Sequence, residues 1–153
     1  MKKILIIFLL VILSGCELPL TETQQIELHT QAIANAIVEK DEIEFKELFA
    51  DNVIHYYNDF DEKMNEVLNY VDGTLVEARK TSYSSSGYNH YGFIKKYFRH
   101  SIEIKTSLHT YTLYVIVCNS DDIDDDNIGF HHLRIRRADF DNEEWINIGN
   151  ASS

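Results

Sequence analysis

The chain has 153 residues, 44% of them hydrophobic and only one a proline, which suits one folded domain with its own core and excludes a disordered tether. Acidic residues outnumber basic ones 25 to 14, for a formal net charge of −11. Such a surface repels nucleic acid and anionic headgroups, and it excludes a nucleic-acid partner.

Lys2 and Lys3 open the chain and are followed by an apolar run of ten residues, Ile4 to Leu13. That run is too short to span a bilayer comfortably as a helix. It ends in Leu13-Ser14-Gly15-Cys16, where two small residues expose the backbone just before a cysteine. A positive start, a short apolar run and this box form the pattern of a bacterial lipoprotein signal peptide. The expectation is that residues 1–15 are cleaved and that Cys16 carries lipid, holding the protein on the extracytoplasmic face of the cell membrane. An ordinary secretory signal with a chance cysteine is the alternative. Without Lys2 and Lys3, 12 basic residues face 25 acidic ones, a net charge of −13. Residues 16–23 then read as the lipidated cysteine and a short tether, and 24–150 as a single domain.

The first helix is predicted from Thr21 or Thr23 to about Lys40, because Ile26, Thr30, Ile33 and Ile37 recur on one face. Asp41 reads as an N-cap, with Glu44 as the reciprocal partner in a capping box. A second, short helix from Glu42 to about Ala50 presents Phe45, Leu48 and Phe49 to the core. A third starts at Asp59, with Glu62 three residues on and Phe60, Met64, Val67, Leu68 and Val71 at helical spacing. Asp72-Gly73 closes it, the glycine supplying a left-handed cap.

Beyond Gly73 the chain turns to strands, predicted at about 74–83, 95–106, 109–118, 128–137 and 145–148. Ile102, Ile104 and Thr106 alternate with Glu103 and Lys105, as in a sheet with one wet face. Ser84-Ser85-Ser86-Gly87 reads as a loop and Ser120 to Asn127 as a hairpin turn. Helices first and antiparallel strands after make an α+β order.

Three helices followed by a curved antiparallel sheet of four to five strands resemble the nuclear transport factor 2-like cone. The segment IANAIVEKDEIEFKELFADNV, residues 33–53, is similar to the opening helix pair of that fold. More narrowly, the lipobox, KDEIEFKELFA, VDGTLVEARKTSYSS, IEIKTSLHTYTLYVIV and NIGFHHLRIRR resemble a family of Firmicute lipoproteins known as domain of unknown function 5104. That resemblance implies a fold and a Gram-positive type of address, and it brings no catalytic residues to carry over.

Few residues point to chemistry. Asp122, Asp124 and Asp126 have the alternate spacing of a calcium loop, but Asn127 and Leu133 stand where its glycine and glutamate belong. A solvated hairpin tip is the better reading, and no metal is assigned. Adjacent His131 and His132 on a strand are expected to face opposite ways. Cys118 lies in an apolar run and reads as a small buried hydrophobe with no partner. His100 shares parity with Phe98, Ile102 and Ile104, which predicts an inward histidine, hydrogen-bonded to a tyrosine as buried polar groups are. Tyr56, Tyr57, Tyr83, Tyr88, Tyr91, Tyr97, Tyr111 and Tyr114 fall where they would line or rim a cone. Pocket lining and plain packing explain them equally. Candidate pocket residues are therefore His100, Tyr111, Tyr114 and Tyr56. Trp145 is expected to pack the last strand onto the sheet.

No nucleophile elbow, phosphate loop or dinucleotide fingerprint is present, so no cofactor is called for. The leading reading is a non-enzymatic, membrane-anchored module that binds a small ligand or a protein. An enzyme of the ketosteroid isomerase or polyketide cyclase kind would need an acid–base group in the cone, with His100, Tyr111 and Asp59 as candidates. A protective or immunity lipoprotein, masking a basic toxin with its acidic surface, is the third reading.

Overall fold

The computed structural model describes residues 20–140 and 143–149. The signal segment, Cys16 and residues 17–19 of the tether lie outside the described residues.

Helix α1 spans Glu22–Glu39, so it begins inside the stretch read as tether. Its start is fixed by a capping box: the Gln24 amide donates to Thr21 Oγ1, and the Thr21 amide donates to Gln24 Oε1. Lys40, in the left-handed region at φ 57°, ends it. Ile26, Thr30, Ile33 and Ile37, the predicted face, are all fully buried.

Asp41 caps α2 (Glu42–Glu47) by accepting from the amides of Ile43 and Glu44. The reciprocal half of the expected capping box does not form, because the Asp41 amide donates to the Ala36 carbonyl at 3.0 Å instead. The predicted second helix proves to be two. The backbone leaves α2 to pair with a strand, Phe130 N–H donating to Leu48 O and Ala50 N–H to Phe130 O. A separate turn of helix, α3 (Asp51–Tyr56), follows, so among the described residues four helices precede the sheet where three were expected.

Helix α4, Phe60–Tyr70, buries Phe60, Met64, Val67 and Leu68 at the predicted spacing. Asp59 precedes it without a side-chain capping bond, and it ends through extended Val71 instead of a left-handed cap. Gly73 has φ +93° for a different reason: a Cβ there would lie 2.9 Å from both Ser107 Oγ and Thr106 Oγ1. It lets the chain pass the turn at Thr106 and Ser107 at close range.

Five antiparallel strands form one open sheet in sequential order: β1 Leu75–His90, β2 Phe93–Thr106, β3 Thr110–Asp121, β4 Gly129–Arg137 and β5 Ile146–Gly149. Ser84–Gly87, predicted as a loop, are strand: they pair in register with Arg99, Phe98, Tyr97 and Lys96. The ladder supplied by β2 overrides the poor strand propensity of a serine run.

Helices α1 and α4 cover one face of the sheet. Ile102, Ile104, Leu113, Val115, Val117, Phe130, Leu133, Ile135 and Ile148 pack there with Ile33, Ile37, Phe45, Phe49, Phe60, Met64, Val67 and Leu68. The opposite, outer face is set by the pleat and the register. It carries Tyr97, Arg99, Ser101 and Glu103 of β2, Thr112, Tyr114, Ile116 and Cys118 of β3, and Arg134 and Arg136 of β4, with Glu103 paired to Arg79 of β1.

His131 corrects an expectation. Ile116 pairs with His132 and Val117 with Phe130, so His131 is the extra residue of a β-bulge. Phe130 and Leu133 both face the core, and the two histidines between them share the outer side. Their rings meet Tyr97 and Tyr114 respectively, at centroid distances of 5.6 and 6.3 Å.

The acidic run is consumed in building its own turn. Asp121 takes Lys95 at 2.9 Å and Asn127 Nδ2 at 2.9 Å, and the Ile94 amide donates to Asp122. Asp124 caps a single 3-10 turn at Asp125–Asn127. The bond from Lys95 lowers the Asp121 pKa to about 2.

Candidate functional site

The helix-covered face is packed mostly with apolar side chains, and a pair of histidines interrupts it. His100, on β2, is 1% exposed, and neither of its ring nitrogens has a hydrogen-bonding partner among the described residues. His29, from α1, lies opposite with its ring 18° from parallel and 6.3 Å away between centroids. Phe98 and Phe130 flank His29 at 6.5 and 5.9 Å. The expected tyrosine partner of His100 is absent, because the nearest inward side chains are these aromatics and His29. Burial, followed by the neighbouring charges of His29 and Lys80, pushes the His100 pKa down to about 3. Burial lowers His29 as well. Both rings are thus held neutral at ordinary pH.

The other predicted pocket residues do not join His100. Tyr111 is fully buried, but its hydroxyl accepts from the Asp72 amide at 3.0 Å and its ring meets Tyr70 edge-on. It clamps the end of α4. Tyr114 points to the outer face, where pleat alternation puts every second residue of β3. Tyr56 is 84% exposed on α3, and Asp59 is exposed ahead of α4. Cys118 is buried on the outer side, where its thiol donates to Ser120 O at 3.5 Å and burial raises its pKa. Such a thiol is not a nucleophile.

Tyr97 also lies on the outer face, while Tyr83, Tyr88 and Tyr91 are exposed along the β1–β2 hairpin. The tyrosines therefore form no single lining. Clefts open elsewhere: one of about 510 Å³ lies between α2 and α4, walled by Glu42, Lys46, Glu47 and Asp61.

The outer face holds a more coherent arrangement. Trp145 sits between two guanidinium groups, Arg134 at 4.6 Å and Arg136 at 4.7 Å from its ring. Arg134 also lies 4.9 Å from the Tyr114 ring, giving a ladder from Tyr114 through Arg134 and Trp145 to Arg136. Strand register makes it: Tyr114 pairs with Arg134 and Thr112 with Arg136, on one side of the pleat. Among the described residues, no carboxylate forms an ion pair with either arginine. Arg137, on the other parity, does pair, with Glu143. Ser82, Ser84 and Ser86 extend the same face through their pairing with Ser101, Arg99 and Tyr97.

This ladder was missed by sequence reasoning, although a signal existed. In GFHHLRIRR the arginines at 134 and 136 alternate with Leu133 and Ile135, which reads as one apolar and one cationic strand face. His29 left a weaker trace, next to the apolar stripe of α1.

The acidic residues lie mostly elsewhere. Between Glu22 and Glu66 the helical layer carries 12 acidic and three basic residues. The part of the outer face around Arg134 and Arg136 is locally cationic in a protein that is acidic overall, while Glu103 on the same face is paired with Arg79.

Among curated proteins, none matches the chain. Residues 32–142 match the family described as Domain of unknown function (DUF5104), running from within α1 to just past β4. That match takes in the four helices in whole or part, β1 to β4, and the Arg134–Arg136 segment. The chain belongs to the DUF5104 family.

Proposed function

We propose that this protein is a non-enzymatic binding module, lipid-anchored through Cys16 on the extracytoplasmic face of a Gram-positive type of cell membrane. Its fold is read as a nuclear transport factor 2-like cone whose interior serves for packing and whose outer sheet face receives the partner. The Leu13-Ser14-Gly15-Cys16 box supports the address, and the order of helices before an open antiparallel sheet supports the fold.

The observation that carries the binding reading is the Arg134–Trp145–Arg136 stack. Two guanidinium groups held over aromatic rings, with no carboxylate partner among the described residues, present fixed donors and flat apolar area together. Aromatic and arginine side chains are the residue types that dominate recognition surfaces. An anionic group on a protein or small-molecule partner is the chemistry they fit.

The enzyme reading would rest on His100, a buried titratable group facing the helix-covered side of the sheet. A base with its pKa near 3 is a weak proton acceptor at neutral pH. Tyr111 has its hydroxyl engaged and Asp59 stands outside, so the three candidates share no site.

The test is site-specific photocrosslinking in cells with the full chain. A crosslinker at Thr112, beside Arg136, should trap a partner, whereas one at exposed Asn69 on α4 should not. Arg134→Gln with Arg136→Gln should abolish the Thr112 product. Equal products from Thr112 and Asn69, or no effect of the double substitution, would remove the outer face as the binding surface.

A further inference from the structure

The β1–β2 hairpin ends in apolar and aromatic side chains that the core does not use. Tyr88, Tyr91, Phe93 and Ile94 are 58%, 92%, 50% and 49% exposed. Ile123 and Ile128, on the neighbouring β3–β4 turn, are exposed too, and that turn is tied to the hairpin where the Asp122 amide donates to Ile94 O. From Ala78 to Ile102 the sequence contains no acidic residue, in a chain that has 25.

The start of α1 lies at this same end. Glu22, its first residue, pairs with Lys96 of β2. The helix then runs along β1 away from the tip: Gln31 Nε2 donates to Ala78 O, and Asn35, Val38 and Glu39 lie beside Gly73, Thr74 and Leu75. The point where the tether enters the domain and the exposed hairpin tip are therefore neighbours.

We propose that this end of the molecule lies against the bilayer that holds the anchor, with Tyr88, Tyr91, Phe93 and Ile94 entering its interfacial layer. The inference rests on the lipoprotein reading of Cys16. Glu22 lies six residue steps after Cys16, a reach of at most about 21 Å for an extended chain. From the level of Lys96 the hairpin projects five residues further to Tyr91, about 17 Å in a strand. Tether and tip thus span similar distances from one point, and anchoring brings the tip to the membrane surface. Tyrosine suits that layer because its ring is apolar and its hydroxyl stays wet.

The contact is apolar in character. Lys95 and Lys96 are engaged by Asp121 and Glu22, and Asp122, Asp124, Asp125 and Asp126 stand at the same end. Neutral phosphatidylcholine is therefore a sufficient surface, and anionic lipid adds nothing.

The experiment uses the full chain, purified from membranes and reconstituted on phosphatidylcholine vesicles, with the lipid on Cys16 read by mass. In a Trp145→Phe background, Tyr91→Trp reports the tip and Leu108→Trp reports the opposite end of the sheet. Brominated-chain phosphatidylcholine should quench the tip tryptophan about twofold and leave the Leu108→Trp signal unchanged, as an interfacial ring requires. If Trp145→Phe disturbs folding, the same comparison is made with Trp145 in place and the native chain as baseline. Equal quenching at both positions, with lipid present on Cys16, overturns the docking alone. A Cys16 without lipid overturns the lipoprotein reading and the docking with it.

Discussion

His29 and His100 meet across the α1–β2 interface with near-parallel rings 6.3 Å apart, and neither nitrogen of His100 has a partner among the described residues. An unfolded chain binds a proton at His100 near pH 6.5, whereas the folded protein resists it until about pH 3. The contribution to stability is therefore complete above pH 6.5 and is lost as pH falls toward 3, by about 5 kcal/mol at most. Burial lowers His29, His131 and His132 in the same sense. Urea midpoints measured from pH 7.5 to 4 should fall steeply below pH 6.5. His100→Leu should flatten that fall while matching the native stability at pH 7.5. An unchanged acid slope in the variant would sink this account.

The anchor can be tested without touching the fold. Thr21, the N-cap of the first described helix, lies five residues after Cys16, so Cys16→Ser leaves the described domain's own sequence intact. The variant should leave the membrane fraction while its circular dichroism and thermal midpoint stay those of the native domain. Retention in the membrane fraction would show that Cys16 does not carry the anchor.

Gly129 joins the acidic turn to β4 at φ +130°, and a Cβ there would sit 2.6 Å from the Ala50 nitrogen. The close approach is what allows the Phe49–Phe130 bridge that divides the second predicted helix. Gly129→Ala should cost about 2–4 kcal/mol, through strain and the backbone clash together. Denaturant unfolding would read it as a lower midpoint with an unchanged slope.

The Trp145 stack also has an energetic signature. Two partly exposed cation–π contacts of about 0.5–1 kcal/mol each predict a loss of about 1–2 kcal/mol for Trp145→Leu. In a double-mutant cycle, Arg134→Gln should show about 0.5–1 kcal/mol of coupling to Trp145→Leu. Zero coupling would mean that the guanidinium and the indole are neighbours without attraction.

Much of the fold was legible because it is periodic. The stripe Ile26–Thr30–Ile33–Ile37 and the run Phe60–Met64–Val67–Leu68 place both long helices, since only one face of each can be buried. Alternation in Ile102–Glu103–Ile104–Lys105 likewise reveals which side of β2 is wet. Ser84–Gly87 escaped, because nothing local distinguishes a serine-rich loop from a strand whose partner lies in β2. The parity of His131 escaped for a related reason. A bulge is decided by how two strands align, and one inserted residue reverses every later expectation about facing.

The candidate site was legible only in part. The inward position of His100 followed from parity, but its partner could not, since His29 lies seventy-one residues away on another element. The amino-acid sequence by itself determined the lipobox address as an expectation, the α+β order and the composition of the core, all properties of neighbouring residues. Tertiary structure decided which charges have partners: among the described residues it left Arg134 and Arg136 stacked on Trp145 without carboxylates, and gave Lys95 and Arg137 theirs. Pairing between distant residues depends on register and on the side of the sheet each strand presents, and neither is encoded within one segment.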